Sequence, residues 1–225
     1  MKGVASLFRS AVGKKAVMAV TGLLLFGFVF VHMAGNLKIY LGAAKLNHYG
    51  EWLREVGGPI LPHGQLLWIA RIVLLVAVGL HIWAATSLTL QSWRARPDKY
   101  QARASVQMTY ASRTMRWGGV IVLFFVLYHL ADLTFGWANP AFQPGKPYEN
   151  LVASFSNPLV AGLYIVANVL LGLHLFHGLW SFFQSLGWNH PRFNAWRRGF
   201  ATAFAWIVTL ANVSFPISVL MGWVH

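Results

Sequence analysis

Five apolar runs, each long enough to cross a bilayer, constrain this chain more than any other feature. They fall at about 16–38, 66–93, 116–137, 158–186 and 199–223. A helix of about 20 residues covers the roughly 30 Å hydrocarbon core at 1.5 Å per residue. Helix is the expected conformation there, because it satisfies its own backbone groups where no water can. The expected fold is all-α: an integral membrane bundle of five transmembrane helices, with residues 1–225 forming one domain. The second and fourth runs exceed the core, so they tilt or project beyond it. The first run is too long for a signal-peptide core, and no cleavage pattern follows it. The first loop, rich in Gly and Pro, carries a short helix near Ala44–Val56. The stretch 138–157, rich in Pro, Gly and Asn, reads as a loop.

Charge orients the bundle. Only 10% of residues are charged, against about 25% in a soluble domain. Lys2, Arg9, Lys14 and Lys15 precede the first run; Arg94, Arg96, Lys99, Arg103, Arg113 and Arg116 lie between the second and third; Arg192, Arg197 and Arg198 lie between the fourth and fifth. All thirteen fall on one side. The other side has Lys38, Lys45, Arg54 and Lys146, and Arg71 stands inside the second run. The positive-inside rule then places the N-terminus in the cytoplasm and the C-terminus outside, in a cytoplasmic membrane. Tryptophans 52, 68, 93, 117, 137, 188 and 223 fall near run ends, as an interfacial belt requires. A net charge of +13 raises the question of nucleic acid. The cations sit between membrane runs and no basic domain remains, so no nucleic-acid partner is expected. The absence of cysteine excludes disulfides, zinc–thiolate sites and iron–sulfur clusters within this chain.

Each of the first four runs contains a deep histidine: His32, His81, His129 and His174. The fifth has none. An isolated intramembrane histidine often bonds a neighbouring helix. One in each of four helices points instead to a shared function, because polar groups at that depth are costly. Counted from the outer run ends, His32 and His129 lie roughly 9–12 Å deep, and His81 and His174 roughly 22–24 Å. The four split into an outer and an inner pair. Two histidines at one depth on facing helices can supply both axial ligands of a haem iron, which leaves an electron-transfer centre with no open position. His177, three residues beyond His174, is a rival ligand; His174 fits the inner depth better. His48, His63, His190 and His225 lie in loops or at the terminus and take no role.

Other residues follow from that reading. Gly79, Gly172 and Gly178 near the inner histidines leave room for a flat macrocycle or for close helix packing. Arg71 can neutralise a haem propionate or snorkel to the interface. Asp132, the one acid within a run, shares a face with His129. Glu51 and Glu55 are acids of the outer loop. Quinone reduction consumes protons, so these three acids are candidate quinone-proximal groups.

The segments FVFVHMAGNL around His32, VAVGLHIWAA around His81, FFVLYHLAD around His129 and LGLHLFHGLWSFFQSLG around His174 resemble one family. It is the dihaem cytochrome b membrane anchor of succinate dehydrogenases and fumarate reductases, in its single five-helix form. The resemblance covers essentially the whole chain. It implies two haem b groups, held by His32 with His129 and by His81 with His174, in agreement with the depths. It also implies a flavoprotein subunit with covalent FAD and an iron–sulfur subunit on the cytoplasmic face, with menaquinone as the usual acceptor. Dicarboxylate chemistry then belongs to a partner, and this chain is anchor, conduit and host of the quinone. One departure stands out: some fumarate reductases of the family have glutamate two residues before the last haem histidine, where this chain has Gly172. Two alternatives remain. One is the cytochrome b of another quinone-linked complex, of hydrogenase or formate dehydrogenase type. The other is a haem-free multi-pass protein, which would need a polar cavity that these runs do not supply.

Overall fold

The computed structural model describes residue 8 and residues 10–95, 110–188 and 190–225. Of the cations used for orientation, Lys2, Arg9, Arg96, Lys99 and Arg103 lie outside these residues, as does the side chain of Arg113. Among the described residues there is no strand. The chain forms α1 (Ala11–Asn36), a 3-10 turn (Leu37–Leu41), α2 (Ala43–Glu55), α3 (Gln65–Arg94), α4 (Tyr110–Leu133), α5 (Pro147–Phe155), α6 (Pro158–Ser185) and α7 (Pro191–Leu220). Five of them, α1, α3, α4, α6 and α7, are long and apolar enough to span a membrane. The all-α bundle expected from the sequence is the one observed.

Helix starts follow local chemistry. Ser10 Oγ accepts the Gly13 amide at 3.0 Å and caps α1. Asn157 caps α6 by accepting the Leu159 amide at 3.0 Å, with Pro158 at the first helical position. His190 Nδ1 accepts the Arg192 amide ahead of α7, and Pro191 fixes the first turn. That cap starts α7 eight residues before the apolar run at Gly199. In the other direction, α4 stops at Leu133 rather than near Trp137: the Thr134 and Phe135 amides both turn back to the Leu130 carbonyl. The Pro- and Gly-rich stretch after α4 contains a helix, α5, which starts on Pro147.

Packing follows membrane rules. The residues sealed between spans are largely small: Ala77, Ala84, Ala161, Ala167, Ala201 and Ala205 are all buried. Small residues let helix backbones approach where lipid gives no hydrophobic drive to associate. Large apolar side chains such as Leu75, Phe124, Val166 and Leu210 point outward instead. Helix α1 packs on α3, α6 and α7; α4 packs on α6; α6 packs on α7. The order around the bundle interior is therefore α3–α1–α6–α4, with α1 diagonal to α4 and α3 diagonal to α6. At one end, α2 and α5 fold over the spans, and Ile39, Leu46, Leu151, Phe155 and Phe215 form an apolar cluster beneath them. We call this the capped end. Gly35 permits the cap's close approach, because a Cβ there would lie 2.6 Å from the Tyr49 ring on α2.

Candidate functional site

The four deep histidines meet in pairs across the diagonals of the bundle. The His32 ring of α1 faces the His129 ring of α4, with centroids 5.8 Å apart and planes at 89°. The His81 ring of α3 faces the His174 ring of α6 at 6.4 Å and 66°. Each pair joins two helices that are not neighbours in the bundle order. Their depths match. His32 and His129 each stand four residues before the capped end of their helix. His81 and His174 each stand 16 residues from the start of theirs. The two pairs are thus offset by about 18 Å along the bundle axis. The ring facing His81 is that of His174, not of the rival His177.

Side-chain hydroxyls reach two of these rings. Thr21 Oγ1 lies 3.2 Å from His81 Nδ1 and donates to the Val17 carbonyl at 2.7 Å. Tyr164 OH lies 3.4 Å from His129 Nδ1 and donates to Asp132 Oδ2 at 2.7 Å. Asp132 is 1% exposed and also accepts from Ser154 Oγ at 2.6 Å. His174 Nδ1 is buried without a hydrogen-bond partner. Glycines line the inner rings: a Cβ on Gly22 would sit 3.4 Å from His81 Cε1, and one on Gly119 3.5 Å from His174 Cε1.

Of the three glycines near the inner histidines, Gly172 takes the helix-packing role. A Cβ on Gly172 would collide with Thr209 Oγ1 of α7, so Gly172 serves the α6–α7 contact. Gly79 and Gly178 face open space within 4 Å. Glu51 and Glu55 are exposed on α2, and Glu51 lies 4.0 Å from His48. Neither is hydrogen-bonded to the outer histidine pair among the described residues. Asp132 faces inward instead. Arg71 stacks over Trp68 at 4.9 Å, near the capped end of α3. Sequence reasoning missed Tyr164 and Thr21, because neither residue type stands out in an apolar run. Lys14, read from the sequence only as an orienting cation, is 7% exposed and lies two turns from Thr21 on α1.

The donor set fits a haem better than a metal held by side chains alone. No cluster of three or more histidine, aspartate or glutamate side chains occurs among the described residues. Pairs of imidazoles do. With a metal–nitrogen bond of about 2 Å and a ring radius of about 1 Å, two imidazoles on opposite sides of one metal place their centroids about 6 Å apart. Both pairs have that separation.

A helical multi-pass membrane protein with paired histidines inside its spans is the class that fold and site define. The family model for the succinate dehydrogenase/fumarate reductase transmembrane subunit matches residues 91–213, and the chain belongs to that family. It is a membrane anchor that works beside catalytic subunits. The match includes His129, Asp132, Tyr164 and His174. No curated protein matches the chain, and no solved structure does.

Proposed function

We propose that this chain is the electron conduit of its complex, with two haem b groups between an iron–sulfur subunit and menaquinone. His32 and His129 hold the haem near the capped end, and His81 and His174 hold the other. The observation that carries this reading is the meeting of four histidines in two diagonal pairs, each at the separation that one iron requires. A bis-histidine haem supplies a one-electron centre with no position open to oxygen. The chain's own part is to hold the axial nitrogens in place and exclude water with apolar walls. Family membership supports partner subunits, here a flavoprotein with FAD and an iron–sulfur protein, docked at the end opposite the cap. The excess of positive charge there makes it the cytoplasmic side, with the C-terminus outside.

The quinone belongs at the capped end. A cleft of about 450 Å³ is lined there by Lys38, Leu41, Lys45, His48, Tyr49 and Trp52. It is open, and its surface is almost wholly apolar, which suits the ring and tail of a quinone. Glu51 and Glu55 neighbour it in sequence and are open to water, so they are placed to exchange quinone protons; Asp132 lies deeper at the same end. Arg71, six residues into α3 from its capped end, is the residue that would neutralise a haem propionate. The experiment is an optical and pyridine haemochrome assay of the purified complex. Two low-spin b haems per chain are expected. Zero or one would overturn the reading. Co-purification of hydrogenase or formate dehydrogenase subunits would overturn the assignment of partners.

A further inference from the structure

Tyr164 has one hydroxyl proton and two polar neighbours. Its proton goes to Asp132 Oδ2 at 2.7 Å. The contact of 3.4 Å to His129 Nδ1 must therefore take its proton from the ring. That makes Nδ1 the protonated nitrogen of His129 and leaves the Nε2 lone pair for a metal. Asp132 is fixed in turn by Ser154, so one buried chain of polar groups links α4, α6 and α5. His81 has a shorter version. Thr21 spends its proton on the Val17 carbonyl, so His81 Nδ1–H faces the Thr21 oxygen; the ring also bonds the Met18 backbone, and the relay stops at neutral peptides. The His174 Nδ1 has no partner among the described residues.

We propose that Tyr164 and Asp132 are positioning residues for His129: they fix its tautomer and make its free nitrogen a stronger iron donor than that of His174. This inference rests on the two-haem reading above. A histidine that donates its distal N–H toward a carboxylate is a more basic ligand, and its ring cannot turn. A more electron-rich axial nitrogen favours ferric over ferrous iron, which holds the potential of that centre down. The two haems of one chain then differ in potential through the groups behind their ligands, although all four ligands are histidine.

The test is a redox titration with low-temperature EPR on the purified complex, with haem counted in each sample. Wild type is compared with Tyr164→Phe, Asp132→Asn and Thr21→Val. The capped-end centre is assigned as the one disturbed by His32→Ala. At two haems per chain, Tyr164→Phe and Asp132→Asn should raise the midpoint of the capped-end haem and shift its EPR g-values, with the other haem unmoved. Thr21→Val should move only the other haem, and by less. Asp132→Asn decides the case if Tyr164→Phe loses haem, because it keeps both the volume and an acceptor for Tyr164. A doubly loaded Asp132→Asn complex with an unchanged capped-end midpoint and spectrum overturns the relay. So does an equal shift of both haems, because the relay touches only His129. A wild-type complex with fewer than two haems overturns the two-haem reading itself, before any variant is compared.

Discussion

The two ends of the bundle handle charge in opposite ways. At the capped end, Glu51, Glu55, Asp132 and Glu149 stand against Lys38, Lys45, Arg54 and Lys146, and polar groups answer one another. Asn47 donates to both Glu149 oxygens at 3.1 and 2.9 Å and accepts the Tyr148 amide at 3.0 Å. Asn150 and the Gln143 backbone bond reciprocally at 2.7 and 2.8 Å. Among the described residues the far end carries Lys14, Lys15, Arg94, Arg116, Arg192, Arg197 and Arg198 and no acid. Arg197 there is buried over the Trp180 ring and bonded to the Trp188 carbonyl and Asn194. An end that balances its own charge is completed by its own chain. An end whose described charged side chains are all positive gains from anionic lipid or an acidic partner surface.

The histidine pairs give the largest expected effects. His32→Ala or His129→Ala should remove the capped-end haem and spare much of the other, and His81→Ala or His174→Ala should do the reverse. Each iron needs both axial nitrogens, so a lost ligand leaves a five-coordinate or empty site. Haem content and reduced-minus-oxidised spectra report the result, and His177→Ala is the control that should retain both haems. Loss of different haems from the His32 and His129 variants would break the diagonal pairing. The capped-end variants should also keep succinate oxidation with an artificial dye while losing quinone reduction.

The charge comparison makes a topological prediction of comparable size. Reporter fusions after Trp223 and within 97–103 should report opposite sides of the membrane, with the loop inside. A cytoplasmic C-terminus would mean that the balanced end, not the basic one, faces the partners.

Much of the architecture was legible because membrane physics writes it into composition. Each spanning helix needs a continuous apolar run, and the histidines interrupt those runs visibly. Depth could be counted because helix rise is constant, and the counted depths separated the same two pairs that meet in space. Contacts were not legible in this way. The stretch 138–157 reads as loop from its Pro, Gly and Asn content, yet Pro147 starts α5 within it by occupying a position that needs no amide donor. The early start of α7 was hidden because Arg192, Arg197 and Arg198 break the apolar pattern. Gly172 stood two residues from His174 and suggested a macrocycle, whereas its neighbour is Thr209, 37 residues on. Asp132 was conspicuous as an acid within a run, but its bond to Tyr164 depends on how α4 and α6 pack. Sequence periodicity within one helix cannot supply a partner from another.

Two substitutions sharpen the contrast at the level of stability. Gly172→Val forces a side chain into Thr209 on the α6–α7 face, and overpacking of this kind costs about 1–3 kcal/mol. Thermal unfolding in detergent should show the loss. Asn47→Ala removes three hydrogen bonds between α2 and α5, and should fall toward the lower end of about 1–3 kcal/mol because Glu149 is half-exposed and water can replace a partner. Faster hydrogen exchange or proteolysis confined to the cap would show that its polar network holds it down. An unchanged cap would mean that the apolar cluster beneath it suffices.

The smallest expected structural effect is at Glu51, and it separates stability from function. Glu51 and His48 lie 4.0 Å apart with side chains 63% and 75% exposed, one helical turn apart on α2. Exposed pairs of this kind contribute about 0–1 kcal/mol, because water screens the attraction and both side chains lose freedom. Glu51→Gln should therefore leave the unfolding temperature and both haem spectra within error of wild type. Glu55→Gln should do the same. The double variant removes half of the capped-end acids while leaving its hydrogen bonds intact. If these carboxylates exchange quinone protons, quinone reduction should slow in the double variant while electron transfer to an artificial dye is unchanged. Equal rates with both acceptors would exclude them and leave proton delivery to water in the open cleft beside Lys38 and Tyr49. A fall in stability as well would show that α2 is held by its surface charges, against the balance of buried and exposed groups seen at this end.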